Sequence, residues 1–290
     1  MSVNVKIKPR GTYVKASGLL ACAGILTGAA NAAPADASHP DFAPTVNVGW
    51  RALTSEFIAP PSGPGPLMDD PAHPYVSNNL AARTGKIPTF PVGDISNPIL
   101  QPWAREAVRK HNEVAISGKS AYTLQARCWP MGVPGFLLYP VRPVYFVQTD
   151  KEVLMTWTGD HMSRHVYMNV PHSKNLKPSW FGESVGHYEG DTLVVDTIGL
   201  NDRTFVDNFR TPHTTQLHVV QRYRMIDGGK TLEVKIHVED PGAFTTPWDA
   251  IQRYQRVEIG PMDEETCAEG ARDYFNQDAE PIPQAILADF

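Results

Sequence analysis

The chain has 290 residues, of which 42% are hydrophobic and 20% are charged, so it can bury the core of one large domain or of two small ones. This composition excludes a wholly disordered protein. The formal net charge of −5 disfavours nucleic acids and anionic membranes as partners, because like charges repel.

The first 32 residues have the pattern of a secretory signal peptide. Residues 1–15 carry four basic side chains and no acid, residues 16–30 are small or apolar, and Ala30-Asn31-Ala32 is an A-x-A cleavage pattern. The apolar run is too short to span a bilayer. The pattern predicts a periplasmic or secreted protein without a stable membrane anchor, and acylation of Cys22 is the weaker alternative. Cleavage would leave 22 basic against 31 acidic residues, a net charge of about −9.

Residues 33–127 are predicted to form an extended arm and not a separate domain. Stretches such as APPSGPGPLMDDPAHP are rich in proline, which removes backbone donors and fixes φ. One short helix is expected over residues 102–111, because Pro102 suits a first turn and good helix formers follow it. The predicted organisation is completed by a β-barrel domain over 128–270 and a C-terminal tail over 271–290.

From residue 143 onward the sequence is rich in Val, Ile, Thr, Tyr and Trp, and the clearest segments alternate with period two. Turn signals such as Glu189-Gly190-Asp191 separate several neighbouring segments, and no helix-length pattern lies between them. Eight strands are predicted, over residues 144–149, 152–158, 164–170, 184–189, 191–197, 217–226, 231–239 and 251–258. The fold class is therefore mainly β, a single antiparallel barrel of lipocalin-like type, with a sandwich as the competing architecture.

Three cysteines are present, and Cys22 lies in the predicted signal peptide. In an oxidising compartment Cys128 and Cys267 can form only one disulfide, which would join the start of the barrel domain to its end. Two separate buried thiols are the alternative.

Polar residues that could carry acid–base chemistry lie on the predicted strands. Asp196 shares a strand face with Val194, so it is expected to be buried, either as a loop anchor or as a working group. Histidines titrate near neutrality, carboxylates can orient them, and arginines can stabilise an enolate-like oxygen. A proton-transfer site is predicted in a partly dry hollow at the barrel mouth, with the candidate catalytic residues His187, His218, His213, Asp196, Glu239, Arg164 and Arg222.

Aromatic side chains could line a pocket for a flat apolar ligand. The candidate substrate-binding residues are Trp157, Tyr167, Trp180, Tyr188 and Tyr223. Nucleotide-binding motifs are absent and no histidine pair has metal-ligand spacing, so no cofactor and no metal are predicted. Histidines are nevertheless dense from residue 161 onward, so a metal site stays open as an alternative.

The block Ser179–Thr197, SWFGESVGHYEGDTLVVDT, resembles the signature of a large group of exported bacterial proteins, most of them uncharacterised, with the pattern W-x-G-x-S-x-G-x-W-E-G-D-T-L-V-V-D-T. Pro212-His213-Thr214, Leu217–Tyr223 and Glu239-Asp240-Pro241 are similar to later parts of the same pattern, as is Cys128 with a second cysteine near the end. Here Tyr188 replaces the usual tryptophan and Gln221 the common glutamate. The resemblance covers about residues 125–270 and implies an exported β-rich domain without an agreed reaction.

Three functions remain in competition. The leading hypothesis is a cofactor-independent lyase or isomerase acting on a small aromatic or terpenoid-like molecule. The first alternative is a lipocalin-like protein that binds apolar molecules unchanged, and the second is a metal-dependent enzyme that uses a histidine cluster.

Overall fold

The computed structural model of the protein describes residues 39–119, 123–139, 142–159 and 162–264, all within one compact unit, Ser38–Phe290. The predicted signal peptide, His161 and the C-terminal tail lie outside the described residues. Cys267 does so as well, and the disulfide with Cys128 therefore stays a prediction. No helix in the described part of the chain is both long and apolar enough to cross a membrane.

Nine strands form a closed barrel in which each strand pairs with its neighbours in chain order. They are β1 (Val48–Ala52), β2 (Val144–Gln148), β3 (Glu152–Trp157), β4 (Ser163–Met168), β5 (Glu183–Glu189), β6 (Thr192–Ile198), β7 (His218–Ile226), β8 (Thr231–Glu239) and β9 (Trp248–Glu258). The predicted barrel class is confirmed, and all eight predicted strands are present with small differences at their ends.

The ninth strand, β1, comes from the segment predicted to be an extended arm. It pairs with β9 over five residues and with β2 at the single pair Trp50–Val144, and these pairings close the ring. Its side chains at Val48, Trp50 and Ala52 are buried, whereas Arg51 is exposed. The five-residue stretch is too short to stand out from its proline-rich surroundings.

One pair of neighbouring strands, β4 and β5, runs parallel, whereas every other pair is antiparallel. The reason is topological, because a closed ring with an odd number of strands cannot alternate direction throughout. The connection over residues 169–182 therefore crosses from one end of the barrel to the other. A hairpin turn, in contrast, would join two strands at the same end.

Two helices lie in the long connection between β1 and β2, namely α1 (Asn78–Thr84) and α2 (Pro102–Ile116). The helix predicted over residues 102–111 is confirmed, and it continues five residues further. Pro102 occupies its first turn, where a missing backbone N–H costs no hydrogen bond. Its buried side chains, Ala104, Val108, Asn112 and Ala115, follow helical spacing.

The barrel interior is filled with side chains. Alternate residues of β8 point inward, Leu232, Val234, Ile236 and Val238, and each is at most 2% exposed. The short turn Gly135–Leu138 enters one end of the barrel, where the Phe136 ring packs 4.9 Å from that of Trp157. Leu137 accepts a hydrogen bond from the Tyr254 hydroxyl at 2.8 Å. The expected hollow is therefore occupied by the chain itself.

Candidate functional site

Most of the predicted catalytic side chains lie on the outer face of the barrel. On β7 the inward positions are Val219, Gln221 and Tyr223, which places His218 and Arg222 on the opposite side. On β6 the inward positions are Leu193 and Val195. The expectation that Asp196 is buried in a hollow is wrong, because strand alternation turns its side chain outward and leaves it 42% exposed.

The structure does bring together Asp196, His218 and Glu239, as the sequence suggested. His218 Nε2 lies 2.8 Å from Asp196 Oδ1, and His218 Nδ1 lies 3.6 Å from Glu239 Oε2. The hydrogen bond with Asp196 raises the pKa of His218, and the same bond lowers the pKa of Asp196.

This group belongs to a longer chain of alternating acids and imidazoles across the outer face, which we call the histidine–carboxylate row. His172 lies 3.1 Å from Glu183 and 3.3 Å from Asp196, on the β5 side. His237 lies 3.0 Å from Glu239 and 2.8 Å from Asp249 of β9. In strand order the row comprises Glu183, His172, Asp196, His218, Glu239, His237 and Asp249.

His187 does not join this row. Its Nε2 lies 3.1 Å from Glu189 Oε1, and Glu189 also pairs with Arg222. This second cluster lies beside the hairpin turn at Gly190, and its side chains are 43–53% exposed. Glu189-Gly190-Asp191 is thus a well-formed hairpin turn, with His187 on the outer face next to it.

Arg164 points inward from β4 and is 1% exposed. Its guanidinium donates hydrogen bonds to Ser184 (3.1 Å), Thr197 (2.7 Å) and Gln221 (2.6 Å), and it lies 4.9 Å from the centre of the Phe136 ring. Burial lowers its pKa, since the charged form loses its hydration. The polar network around Arg164 is enclosed by core side chains.

His213, the remaining predicted histidine, lies in the β6–β7 connection and is 2% exposed. Its Nε2 forms a 2.7 Å hydrogen bond with the Thr204 hydroxyl, and its Nδ1 lies 3.0 Å from the Thr214 carbonyl oxygen. Burial lowers the pKa of His213, so its neutral form is favoured.

The predicted substrate-binding aromatics do not form one pocket. Trp157 and Tyr223 are core residues, whereas Tyr167 is 47% exposed on the outer face. Trp180 packs against Trp129 outside the barrel core, and Tyr188 stacks on His39 at one barrel end.

A cleft that sequence reasoning missed lies where the long β1–β2 connection meets the β6–β7 connection. We call it the acidic cleft, and its volume is about 170 Å³. Its walls are largely apolar, formed by Tyr75, Phe90, Leu124, Met131 and Phe205, with Asp207 and Arg210 among the polar lining residues.

Asp207 is the most strongly perturbed carboxyl group of this cleft. It is 6% exposed, and burial raises its pKa to about 6. Its Oδ1 accepts hydrogen bonds from the backbone N–H groups of Phe209 and Thr211, both at 3.0 Å, and these donors together with the Arg210 charge limit the rise. Arg210 is also buried and donates to the His111 carbonyl oxygen at 2.8 Å.

Two further acids, Glu56 and Asp69, lie beside residues that line the acidic cleft, since Glu56 follows Ser55 in the chain and Asp69 accepts a hydrogen bond from Tyr75. Burial raises the pKa of Glu56, and the negative charges of Asp69 and Asp207 raise it further. Burial likewise raises the pKa of Asp69, although its Oδ2 accepts a 2.8 Å hydrogen bond from the Tyr75 backbone N–H. Asp69 Oδ1 is buried without a hydrogen-bond partner in the described structure. Burial thus favours the protonated form of all three carboxyl groups, and such groups near an apolar cleft are candidates for donating and accepting protons.

The described residues contain no group of three or more His, Cys, Asp or Glu side chains arranged to hold a metal ion. No protein-family model, curated protein or solved structure matches the chain.

Proposed function

We propose that the acidic cleft is an acid–base active site, and that the protein is a cofactor-independent lyase or isomerase. The proposed substrate is a small aromatic or terpenoid-like molecule, encountered in the periplasm or outside the cell. The observation that carries this proposal is the buried carboxyl group of Asp207, whose pKa of about 6 keeps both protonation states accessible near neutral pH.

The chemistry requires one group that removes a proton and another that returns it. An ionised carboxylate, either Asp207 or Glu56, breaks a C–H bond next to a carbonyl group, and the electron pair moves onto the carbonyl oxygen. Arg210 lines the same cleft and carries the positive charge that such an enolate oxygen needs. The second, protonated carboxyl group then donates its proton to a different carbon of a conjugated enolate, which isomerises the substrate, or to a leaving group on the neighbouring carbon, which completes an elimination. Return of a proton from the first carboxyl group to the second restores the starting state.

The cleft walls set the class of substrate. Tyr75, Phe90 and Phe205 offer aromatic surface, and Leu124 and Met131 add aliphatic surface. The volume of about 170 Å³ is below the usual range of about 300–1,000 Å³ for drug-sized ligands. A small substrate with a flat apolar body and one carbonyl oxygen fits these walls.

The test is incubation of the full chain with panels of small aromatic and terpenoid carbonyl compounds, followed by mass spectrometry and NMR of the recovered molecules. Once a converted substrate is found, Asp207→Asn and Glu56→Gln should each lower turnover by about 100-fold or more. Asp207→Asn keeps the oxygen that accepts the backbone hydrogen bonds of Phe209 and Thr211, so the loop contacts are retained. Asp202→Asn, at an exposed position in the same connection, is the matched control.

Other outcomes would place the function elsewhere. Loss of turnover in His218→Ala or His187→Ala, with unchanged turnover in Asp207→Asn, would assign the chemistry to the outer face. A ligand that is retained but recovered chemically intact would favour the lipocalin-like binding protein. Elemental analysis of untagged protein tests the metal-dependent alternative, which predicts about one metal per chain.

A further inference from the structure

A larger groove lies at the end of the barrel opposite the acidic cleft. Its wall includes the β2–β3 turn at Thr149 and Asp150, Asn169 directly after β4, and Tyr188 near the end of β5. The segment that precedes β1 forms another side. The groove has a volume of about 770 Å³, within the range of small-molecule sites. We call it the aromatic groove.

Aromatic rings form one wall of the aromatic groove and are held in place by hydrogen bonds. The His39 and Tyr188 rings are stacked with their centres 4.1 Å apart. Gln148 donates to the Tyr188 hydroxyl oxygen at 2.8 Å and to the Pro40 carbonyl oxygen at 2.9 Å, and it accepts from the Phe42 backbone N–H at 2.7 Å. One half-buried amide thus fixes both the ring and the preceding segment, which gives a preformed wall.

The charges at this groove are predominantly negative. Asp41 and Asp150 line it, and among the described residues that line it there is no lysine or arginine. Tyr145 is another lining residue. Burial raises its pKa most, the Asp263 charge raises it further, and the Arg51 charge opposes this rise. Burial and then the Asp41 charge raise the pKa of Tyr188. Two acids, Asp263 and Asp41, and one arginine therefore act on the two tyrosines.

We propose that the aromatic groove binds a small organic cation with an apolar body, such as a quaternary ammonium compound. Aromatic faces attract such cations through their quadrupole, and Asp41 and Asp150 supply the opposite charge. The buried side chains of Phe146 and Met168 provide apolar contact for the body of the ligand. This site lies at the other end of the barrel from the acidic cleft, so it is independent of the proposed catalysis.

The test is calorimetric titration of the full chain with benzyltrimethylammonium, and with benzenesulfonate as the anion of similar size. The cation should bind and the sulfonate should not, and the affinity for the cation should fall as salt is added. The double variant Asp41→Asn, Asp150→Asn and the single variant Tyr188→Leu should each weaken binding by about tenfold or more. Asp227→Asn, in the exposed β7–β8 turn, is the control for loss of one negative charge and should bind as the original does.

Three results would overturn the proposal. These are no cation binding by the full chain at millimolar concentration, equal binding of the sulfonate, or unchanged affinity in both groove variants. Asp207→Asn should retain cation binding, so failure of the catalytic proposal leaves this outcome unaffected.

Discussion

Replacing Asp207 by asparagine isolates the effect of one buried carboxyl group on stability. In the folded protein its pKa is about 6, compared with an ordinary value of 3.8. A difference of about 2 in pKa corresponds to about 3 kcal/mol, at 1.36 kcal/mol for each unit. Because Asp207 is buried, solvent screening reduces this figure little.

The sign follows from proton linkage. The folded state holds the Asp207 proton more tightly than the unfolded state does, so ionisation favours unfolding. Below about pH 3 both states are protonated and the group contributes nothing. As the pH rises from about 3 to above 6, the free energy of unfolding of the original protein falls by up to about 3 kcal/mol, a loss that Asp207→Asn does not share.

The assay is urea unfolding of both proteins followed by tryptophan fluorescence at several values between pH 3 and pH 7. The difference in free energy of unfolding, variant minus original, should rise by about 3 kcal/mol over this window. Titrating groups distant from Asp207 affect both proteins alike and cancel, whereas Glu56 adds to the difference because the Asp207 charge raises its pKa. Asp202→Asn controls for the introduction of an amide in this loop. A difference independent of pH would show that Asp207 is not the buried, proton-binding group described, and the acid–base argument would fail with it.

Two further changes test the outer face and the strand connections. Asp196→Asn should lower the pKa of His218, measured by NMR titration of its ring protons, because the hydrogen bond to the charged carboxylate raises that pKa; an unchanged titration would contradict the 2.8 Å contact. Gly182→Ala should destabilise the protein more than Gly190→Ala by at least about 1 kcal/mol. Both glycines have φ of +62°, but a Cβ at Gly182 would clash with the Ile198 carbonyl oxygen at the end of β6, whereas a Cβ at Gly190 would meet no atom of the described residues within 4 Å. Equal melting temperatures for the two variants would refute the close approach.

The strands could be predicted from sequence because alternation is a local property. Leu232, Val234, Ile236 and Val238 repeat every second residue, and a single sheet face explains them. The parallel pairing of β4 and β5 also had a signal in the sequence, because the 14-residue connection over 169–182 is too long for a hairpin turn. It was missed because turn residues such as Pro171 and Lys174 resemble those of an irregular loop.

The acidic cleft could not be found in this way. Glu56, Asp69 and Asp207 lie on two connections far apart in sequence, and only the closed barrel brings those connections together. Asp207 itself looks like an ordinary loop aspartate that accepts backbone hydrogen bonds. The rise in its pKa comes from burial in the folded protein, which no local sequence pattern records.

The sequence does separate the histidines from the core side chains, but the predicted hollow assigned them to the inner face of the barrel, whereas most of them lie on its outer face. His218 and Arg222 alternate with Val219, Gln221 and Tyr223, so the pattern separates two faces but does not identify which one is inside. The buried face of β7 carries the polar Gln221, hydrogen-bonded to Arg164, and this reduces the hydrophobic contrast between the faces.

Ring closure through β1 has a consequence for how the chain must be handled. β1 pairs with the eleven-residue β9 and touches β2 at one residue pair. Proteolysis that removed the segment before Leu53 would leave two strands with unsatisfied backbone donors and acceptors, which are templates for sheet extension between molecules. Loss of this short segment would therefore promote aggregation, although every residue of the other eight strands remained in place.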